Sequence, residues 1–351
     1  MRTLASEKGF TLTELLVSST ISLIVMGVAA TTFRDAMTLN ETVLQLADSS
    51  QNLRAGTNLL VRDLLQAGRN IPIGGIAIPS GPGAQPIDRP SPPGLSYTFD
   101  NVTASTLSAV TTGAGLGPTV DGRTTDMVTV MMDDPTLDPI LLKPASAPGS
   151  VPKLAADGSS FSVGTQTAWL AGDLANGIAP VKAGDLFYFL NSGTALQTVT
   201  RVDSSTVYFD ASDAFNLNQR GVTAGSITQI LGSDMTARRV LMFSYFVHTE
   251  SEGVPRLMRV MNQFPPQALA GVVEDLEISF DLVDGVVNPT NVRDLPFTDN
   301  GVTYTASQIR KATIHVGVRS DTMSTREKDY LRNHLNTVVA LRNLAFVDRY
   351  K

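Results

Sequence analysis

Glu14 is the residue whose placement first calls for a chemical explanation. From Leu15 to Phe33 no side chain is charged, and Leu15, Leu16, Val17, Ile21, Leu23, Ile24, Val25, Met26 and Val28 make the run apolar on every side. From Phe10 to Thr32 a helix would be roughly 35 Å long, enough to cross a hydrocarbon core of about 30 Å. A carboxylate at the head of such a segment costs up to about 2.5–3.5 kcal/mol if carried to mid-bilayer, so a partner cation is expected. Two plainer readings stand beside this one. An acid is favoured at a helix N-terminus by the macrodipole whatever follows it. An ordinary secretory signal would also pair basic Arg2 and Lys8 with an apolar stretch and be cut near the small residues Ala29 and Ala30.

Elsewhere the candidates for chemistry are few. Asp133, Asp134 and Asp138 form one acidic cluster that would suit calcium, a hard cation wanting several oxygens. The prolines among them fit an ordinary acidic turn equally well, and no EF-hand spacing is present. Asp203, Asp210 and Asp213 read the same way. The three histidines, His248, His315 and His334, have no serine elbow to serve. Gly113-Ala114-Gly115-Leu116-Gly117 resembles a phosphate loop only faintly, lacking a following Lys-Thr and a helix after it. No catalytic residue, resident metal or cofactor is expected, and the chain reads as a non-enzyme.

Composition narrows the class further. The net charge of −6 is spread along 351 residues, so nucleic acid is not an expected partner. There is no cysteine, which leaves stability to the core alone and excludes disulfides and thiolate metal sites. Few charges and abundant Thr, Ser, Gly and Pro suit an extracellular β-rich domain.

The elements that would position Glu14 follow from periodicity. Past the apolar run the pattern stays helical and free of proline until Pro72. Leu39, Val43, Leu46, Ser50, Leu53, Thr57, Leu60, Leu64 and Ala67 lie on one stripe, which needs a sheet to cover it. Ser50 and Thr57 weaken the coiled-coil alternative. Gly68 is the expected stop. Residues 71–98 carry seven prolines and five glycines and read as a loop. From about residue 97 the period becomes two. Strands are expected over 126–132, 185–190, 196–202, 206–210, 226–231, 239–248, 256–261, 272–282, 309–319 and 337–344. Turns are expected at Asp157-Gly158, Asp284-Gly285 and Asn300-Gly301. Strands 272–282 and 309–319 should be neighbours. The first presents Val272, Leu276, Ile278, Phe280 and Leu282 inward and an acidic row of Asp275, Glu277 and Asp281 outward. That row would face Lys311, His315 and Arg319, with Glu277 expected to pair with Lys311. The less regular stretch 133–183 is a candidate insertion.

The string Lys8-Gly9-Phe10-Thr11-Leu12-Thr13-Glu14 before this helix resembles the type IV prepilin signature. The segment Leu60-Val61-Arg62-Asp63-Leu64-Leu65-Gln66-Ala67-Gly68 resembles the end of the long helix in PilW-like minor pilins. The closing order, a Val-Glu-Asp-Leu strand, then Ile309-Arg310-Lys311-Ala312, then Val338-Val339-Ala340-Leu341-Arg342-Asn343, is similar to PilW-like and type II secretion J-like pseudopilins. This resemblance implies an α+β, type IV pilin-like fold in which a long N-terminal helix packs on an antiparallel β-rich head. It implies a leader over 1–9, a transmembrane and filament-core half over 10–33, an amphipathic half over 34–70, the loop 71–98 and a head over 99–351.

By resemblance, prepilin peptidase cuts between Gly9 and Phe10 and the new α-amine of Phe10 is methylated. Glu14 of one subunit then meets the amine of its neighbour, which is cationic at neutral pH given a reference pKa of about 7.7–8.0. The implied partners are major and minor pilin subunits, the peptidase and the inner-membrane assembly platform. The implied location is a single pass of the cytoplasmic membrane with the head periplasmic or extracellular, and later the pilus surface. The implied role is a minor pilin, priming assembly or sitting at the tip. A type II secretion pseudopilin would share every N-terminal feature. A secreted β-rich binding or carbohydrate-active protein with a conventional signal peptide remains a third reading.

Overall fold

The computed structural model describes residues 9–222, 224–249, 253–324 and 328–344. The leader residues 1–8, with Arg2 and Lys8, lie outside them, as does Arg326. One helix, α1 (Leu12–Gln66), runs for 55 residues, about 80 Å at the helical rise. It begins at Thr11, whose extended backbone and side chain cap it, and it meets no proline to break it. It ends where Ala67 turns extended and Gly68 takes a left-handed φ of 78°. There the Gly68 N–H donates to Met131 O at 2.9 Å. A side chain at Gly68 would also strike Leu344, 2.5 Å away, so the expected glycine stop serves both the turn and the packing.

Of the 23 strands among the described residues, ten frame the two main sheets: β1 (Val128–Asp133), β2 (Ile140–Leu142), β3 (Leu186–Leu190), β4 (Thr194–Thr198), β5 (Met235–Thr249), β6 (Pro255–Met261), β7 (Gln267–Ala270), β8 (Val273–Leu282), β9 (Ile309–Arg319) and β10 (Arg332–Ala340). Pairing among them is antiparallel, as expected for an α+β head. The first seven, with the short strand Val110–Thr111 on β1 as the eighth, build one sheet around β5, whose 15 residues are long enough to serve four neighbours. One edge of β5 takes β3 and then β6; the other takes β2 and then β1. The last three form a second sheet in the order β8-β9-β10.

Alternation along the strands explains how one sheet serves two cores. Leu186, Tyr188, Leu196, Val240 and Met242 point to a core shared with α1 and the β8-β9-β10 sheet. Their neighbours Phe187, Phe189, Ala195 and Ala237 point the other way, into a second core with Leu142, Leu154, Phe161 and Leu170. Segment 133–183 thus supplies much of the lining of that second core.

Several sequence expectations need correction. Leu39, Val43 and Leu46 share the stripe with Leu53, yet stay 49%, 62% and 38% exposed, because the head buries α1 only from Ser49 onward and before it reaches the helix through a bond such as Gln45–Thr322. Residues 226–231 are not a strand: Ile227–Ile230 form a 3-10 turn capped by Ser226, which sends Ile227 and Ile230 into the second core. The last strand lies at 332–340 rather than 337–344, since its polar first half sits on an exposed edge where hydrophobic alternation is silent. Strands β8 and β9 are neighbours as expected, but Lys311 lies opposite Asp281 and Glu277 opposite His315. A register shift at Val273–Asp275 also puts Val273 in the core and leaves Val272 at a positive φ. Asp275, expected outside, is 4% exposed.

Candidate assembly and processing site

The N-terminus is built by a capping box. The Thr11 hydroxyl accepts the Glu14 N–H at 3.3 Å, and Glu14 Oε2 accepts the Thr11 N–H and the Thr11 hydroxyl, each at 2.9 Å. Two helix-end donors are satisfied reciprocally, and the carboxylate is fixed beside the backbone one residue from Phe10 N. Phe10 is 85% exposed and Gly9 is open on all sides. Thr11-x-x-Glu14 before an apolar run was a readable signal for this box. Glu14 is therefore both a helix cap and a carboxylate bonded to the residue that follows Phe10.

The helix that follows is dressed for an apolar medium. Among the described residues α1 is the one helix long and apolar enough to cross a membrane. Ser18, Ser19, Thr20, Thr31 and Thr32 each donate their hydroxyl to a carbonyl one turn back, at 2.8–3.0 Å. That satisfies these five hydroxyl protons inside the segment, as lipid demands.

The stalk is coupled to the head through a buried ion pair that sequence reading missed. Asp63, 2% exposed and carried in on the Arg-Asp-Leu string, accepts from Arg259 Nε at 2.9 Å, Arg259 Nη2 at 2.7 Å and the Tyr245 hydroxyl at 2.5 Å. Burial and the neighbouring Asp63 charge push the Tyr245 hydroxyl far above its usual range. The Arg259 guanidinium also lies 3.7 Å over the Phe243 ring. A second buried cation, Arg89, binds Thr129 Oγ1, Thr112 O and Thr111 O, and burial lowers it to about 10.

The acidic candidates are distributed rather than convergent. Asp133 accepts from Asn70 and Arg238 at 2.9 and 3.2 Å. Asp134 accepts from Arg239 at 2.7 Å and from the Thr136 N–H and hydroxyl. Asp138 is exposed, and its carbonyl, not its carboxylate, accepts Trp169 Nε1 at 2.8 Å. Among the described residues no group of three or more His, Cys, Asp or Glu is arranged to hold a metal. Asp203 accepts two backbone N–H groups and the Tyr208 hydroxyl, which hold it below the usual carboxylate range. Asp213 ties down the N–H groups of Phe215, Leu217 and Asn218, and Asp210 meets Thr200. The glycine stretch 113–117 folds back on its own neighbours: the Gly115 N–H donates to Asp126 and the Gly117 N–H to Thr125 O.

His315 and His334 come together on the outer face of β9 and β10, with ring centroids 5.8 Å apart, beside a cleft of about 450 Å³. The cleft's carboxylates are spent on guanidiniums: Asp275 on Arg123 at 2.9 Å, and Glu274 on Arg332 and Arg319, each at 2.9 Å. Burial, then a hydrogen bond with Asp121, raises Glu274 above its ordinary value.

The family described as the prokaryotic N-terminal methylation motif matches residues 4–30. No curated protein and no solved structure matches the chain. The motif, with the long apolar helix and antiparallel head behind it, supports a prepilin-type protein, pilin-like or pseudopilin. Such a motif implies processing by prepilin peptidase and assembly with other pilin subunits, and the apolar helix indicates membrane anchoring beforehand.

Proposed function

We propose that this chain is a PilW-like minor pilin, a low-copy structural subunit of a type IV pilus that primes assembly or sits at the tip. In this reading residues 1–9 are the cytoplasmic leader, 10–33 cross the membrane and later enter the filament core, 34–70 carry the head away from it, and 99–351 form the outward-facing head. Cleavage falls between Gly9 and Phe10, Phe10 is N-methylated, and Glu14 meets the Phe10 amine of a neighbouring subunit. The assembly platform of the inner membrane and other pilins are its partners, and the mature chain ends at the cell surface.

One observation carries the proposal: a carboxylate held on the residue that follows Phe10, at the head of an exposed lipid-length helix that continues without a break into the head. The α-amine freed at Phe10 would supply the cation that Glu14 needs in an apolar filament core. A non-enzymatic role is supported by the two carboxylates of the cleft, Asp275 and Glu274, each of which is engaged by guanidiniums. A pseudopilin shares the N-terminal chemistry and differs in the machine it joins.

The deciding experiment is the mass and N-terminal sequence of the mature protein recovered from membranes. A start at methylated Phe10 is expected. A start near Ala30 or Thr31 would overturn the proposal, because the helix would have been discarded. With that start established, Glu14→Ala is expected to leave processing largely intact while abolishing recovery of the subunit in sheared pili; wild-type recovery would remove the assembly role from Glu14.

A further inference from the structure

The outer face of the β8-β9-β10 sheet is hollowed where a side chain is missing. Gly317 of β9 lies opposite Asp275 of β8 on one side and His334 of β10 on the other. Residues paired in this way share a face of the sheet, so Asp275 and His334 stand as walls on either side of bare backbone. A Cβ at Gly317 would come 3.0 Å from Asp275 Cβ. The cleft of about 450 Å³ opens on this glycine, and a second hollow of about 320 Å³ shares Arg123, Asp275 and His315 with it. Each has the size of a small-molecule site, roughly 300–1,000 Å³.

A short hairpin reaches the same trough. Thr119–Val120 pairs with Arg123–Thr124 across Asp121-Gly122, whose φ values of 47° and 80° make the tight turn. It carries Arg123 Nη1 to Asp275 Oδ2 at 2.9 Å and Asp121 to 3.7 Å from Arg332. The Arg123 side chain is 71% exposed, and its remaining N–H groups are donors at the mouth. Asp275 is 4% exposed, and its Oδ1, shielded from bulk solvent, has no hydrogen-bond partner among the described residues. An unmet carboxylate oxygen in a buried position calls for a donor. His315 is held through Nδ1, 2.6 Å from Asn336 Oδ1, and its Nε2 lies 3.7 Å from Asp275 Oδ2.

These walls discriminate among ligand classes. An inorganic anion would meet the Asp275 and Glu274 carboxylates. A metal ion finds no group of three ligands arranged for it among the described residues and would compete with Arg123 for Asp275. Hydroxyl groups suit both kinds of wall, because each donates one hydrogen bond and accepts others. One hydroxyl can give its proton to Asp275 Oδ1 while a neighbouring one accepts from Arg123 or His334.

We propose that this trough binds a neutral sugar, a carbohydrate site on the head that is independent of the machine the helix joins. Gly317 leaves the room, Asp275 Oδ1 takes a hydroxyl proton, and Arg123 and His334 donate to the sugar's oxygens.

The test uses the full-length protein in a detergent without a sugar headgroup and saturation-transfer difference NMR. The probes are the methyl glycosides of glucose, galactose, mannose, fucose, N-acetylglucosamine and N-acetylgalactosamine. At least one is expected to give a saturable signal that neither inorganic phosphate nor calcium chloride displaces. For that glycoside, Asp275→Asn is expected to weaken binding about tenfold or more, as the loss of a hydrogen bond to a charged group does. Gly317→Leu, which fills the hollow, is expected to abolish it. His334→Ala changes an exposed residue, so the protein stays folded, and is expected to weaken binding several-fold. Lys311→Ala, on the same face but outside both hollows, should leave it unchanged. The proposal is overturned if none of the glycosides binds, or if phosphate or calcium displaces the signal. It is equally overturned if His334→Ala binds as the wild type does, a readout that does not depend on the two buried positions.

Discussion

Asp63 shows how much one side chain can decide. It sits on the helix, accepts three hydrogen bonds from two strands, and is almost wholly buried. Asp63→Ala leaves Arg259 charged and unpaired inside the protein, which is expected to cost about 3–5 kcal/mol and to appear as a large drop in melting temperature. Replacing Asp63→Leu and Arg259→Met together should recover most of that loss, because a buried ion pair compensates its own desolvation and little more. Asp284 supplies a pH signature. The backbone N–H groups of Val286 and Asn288 and the Tyr304 hydroxyl lower it to about 2. Its folded value lies below the roughly 3.9 of an unfolded aspartate, so its contribution to stability is complete above about pH 4 and is lost as the pH falls toward 2. Asp284→Asn should therefore melt below the wild type near neutral pH, with the gap closing in acid. A gap independent of pH would show that the carboxylate charge is not what the loop uses.

At the scale of elements, the docking of α1 depends on a glycine. A Cβ at Gly56 would come 2.9 Å from Ala270 Cβ and 3.3 Å from Leu257, so the helix backbone packs directly on the Ala270 and Leu257 side chains there. Leucine favours the helix by nearly 1 kcal/mol over glycine, yet overpacking costs typically 1–3 kcal/mol. Gly56→Leu is thus expected to destabilise the head and to expose the helix–head junction to limited proteolysis. A more protected junction would mean that β7 yields to the helix. The capping box at Thr11 belongs to this scale too, since it starts the helix and fixes the carboxylate in the same hydrogen bonds.

Among the described residues the two largest cores share one sheet. Phe161 meets the chain's single tryptophan, Trp169, at 6.1 Å and Phe187 at 5.7 Å, so tryptophan fluorescence reports the second core selectively. Phe161→Ala is expected to cost about 3–5 kcal/mol in that core. Because Phe187 and Leu186 are adjacent residues of one strand facing different cores, the fluorescence and far-ultraviolet unfolding transitions should coincide. Separate transitions would show that segment 133–183 and its partners fold as a unit of their own.

The sequence alone determined what local chemistry can encode. The apolar run and its lone carboxylate announced the helix and its membrane length, Gly68 its end, and Asn300-Gly301 the hairpin whose two positive φ values, 47° and 80°, demand those residues. Period-two alternation marked most of the long strands and paired β8 with β9. The tertiary structure alone decided the rest, because those features depend on groups far apart in the chain. Nothing near Asp63 foretells Tyr245 and Arg259, which are brought to it by strands 182 and 196 residues away. The helical stripe continues past the point where the head stops covering it, since periodicity records which face is apolar and not how far its cover reaches. The first half of β10 was hidden for the complementary reason: an exposed edge buries too little to impose alternation, and its pairing with β9 becomes visible only when the register is in place.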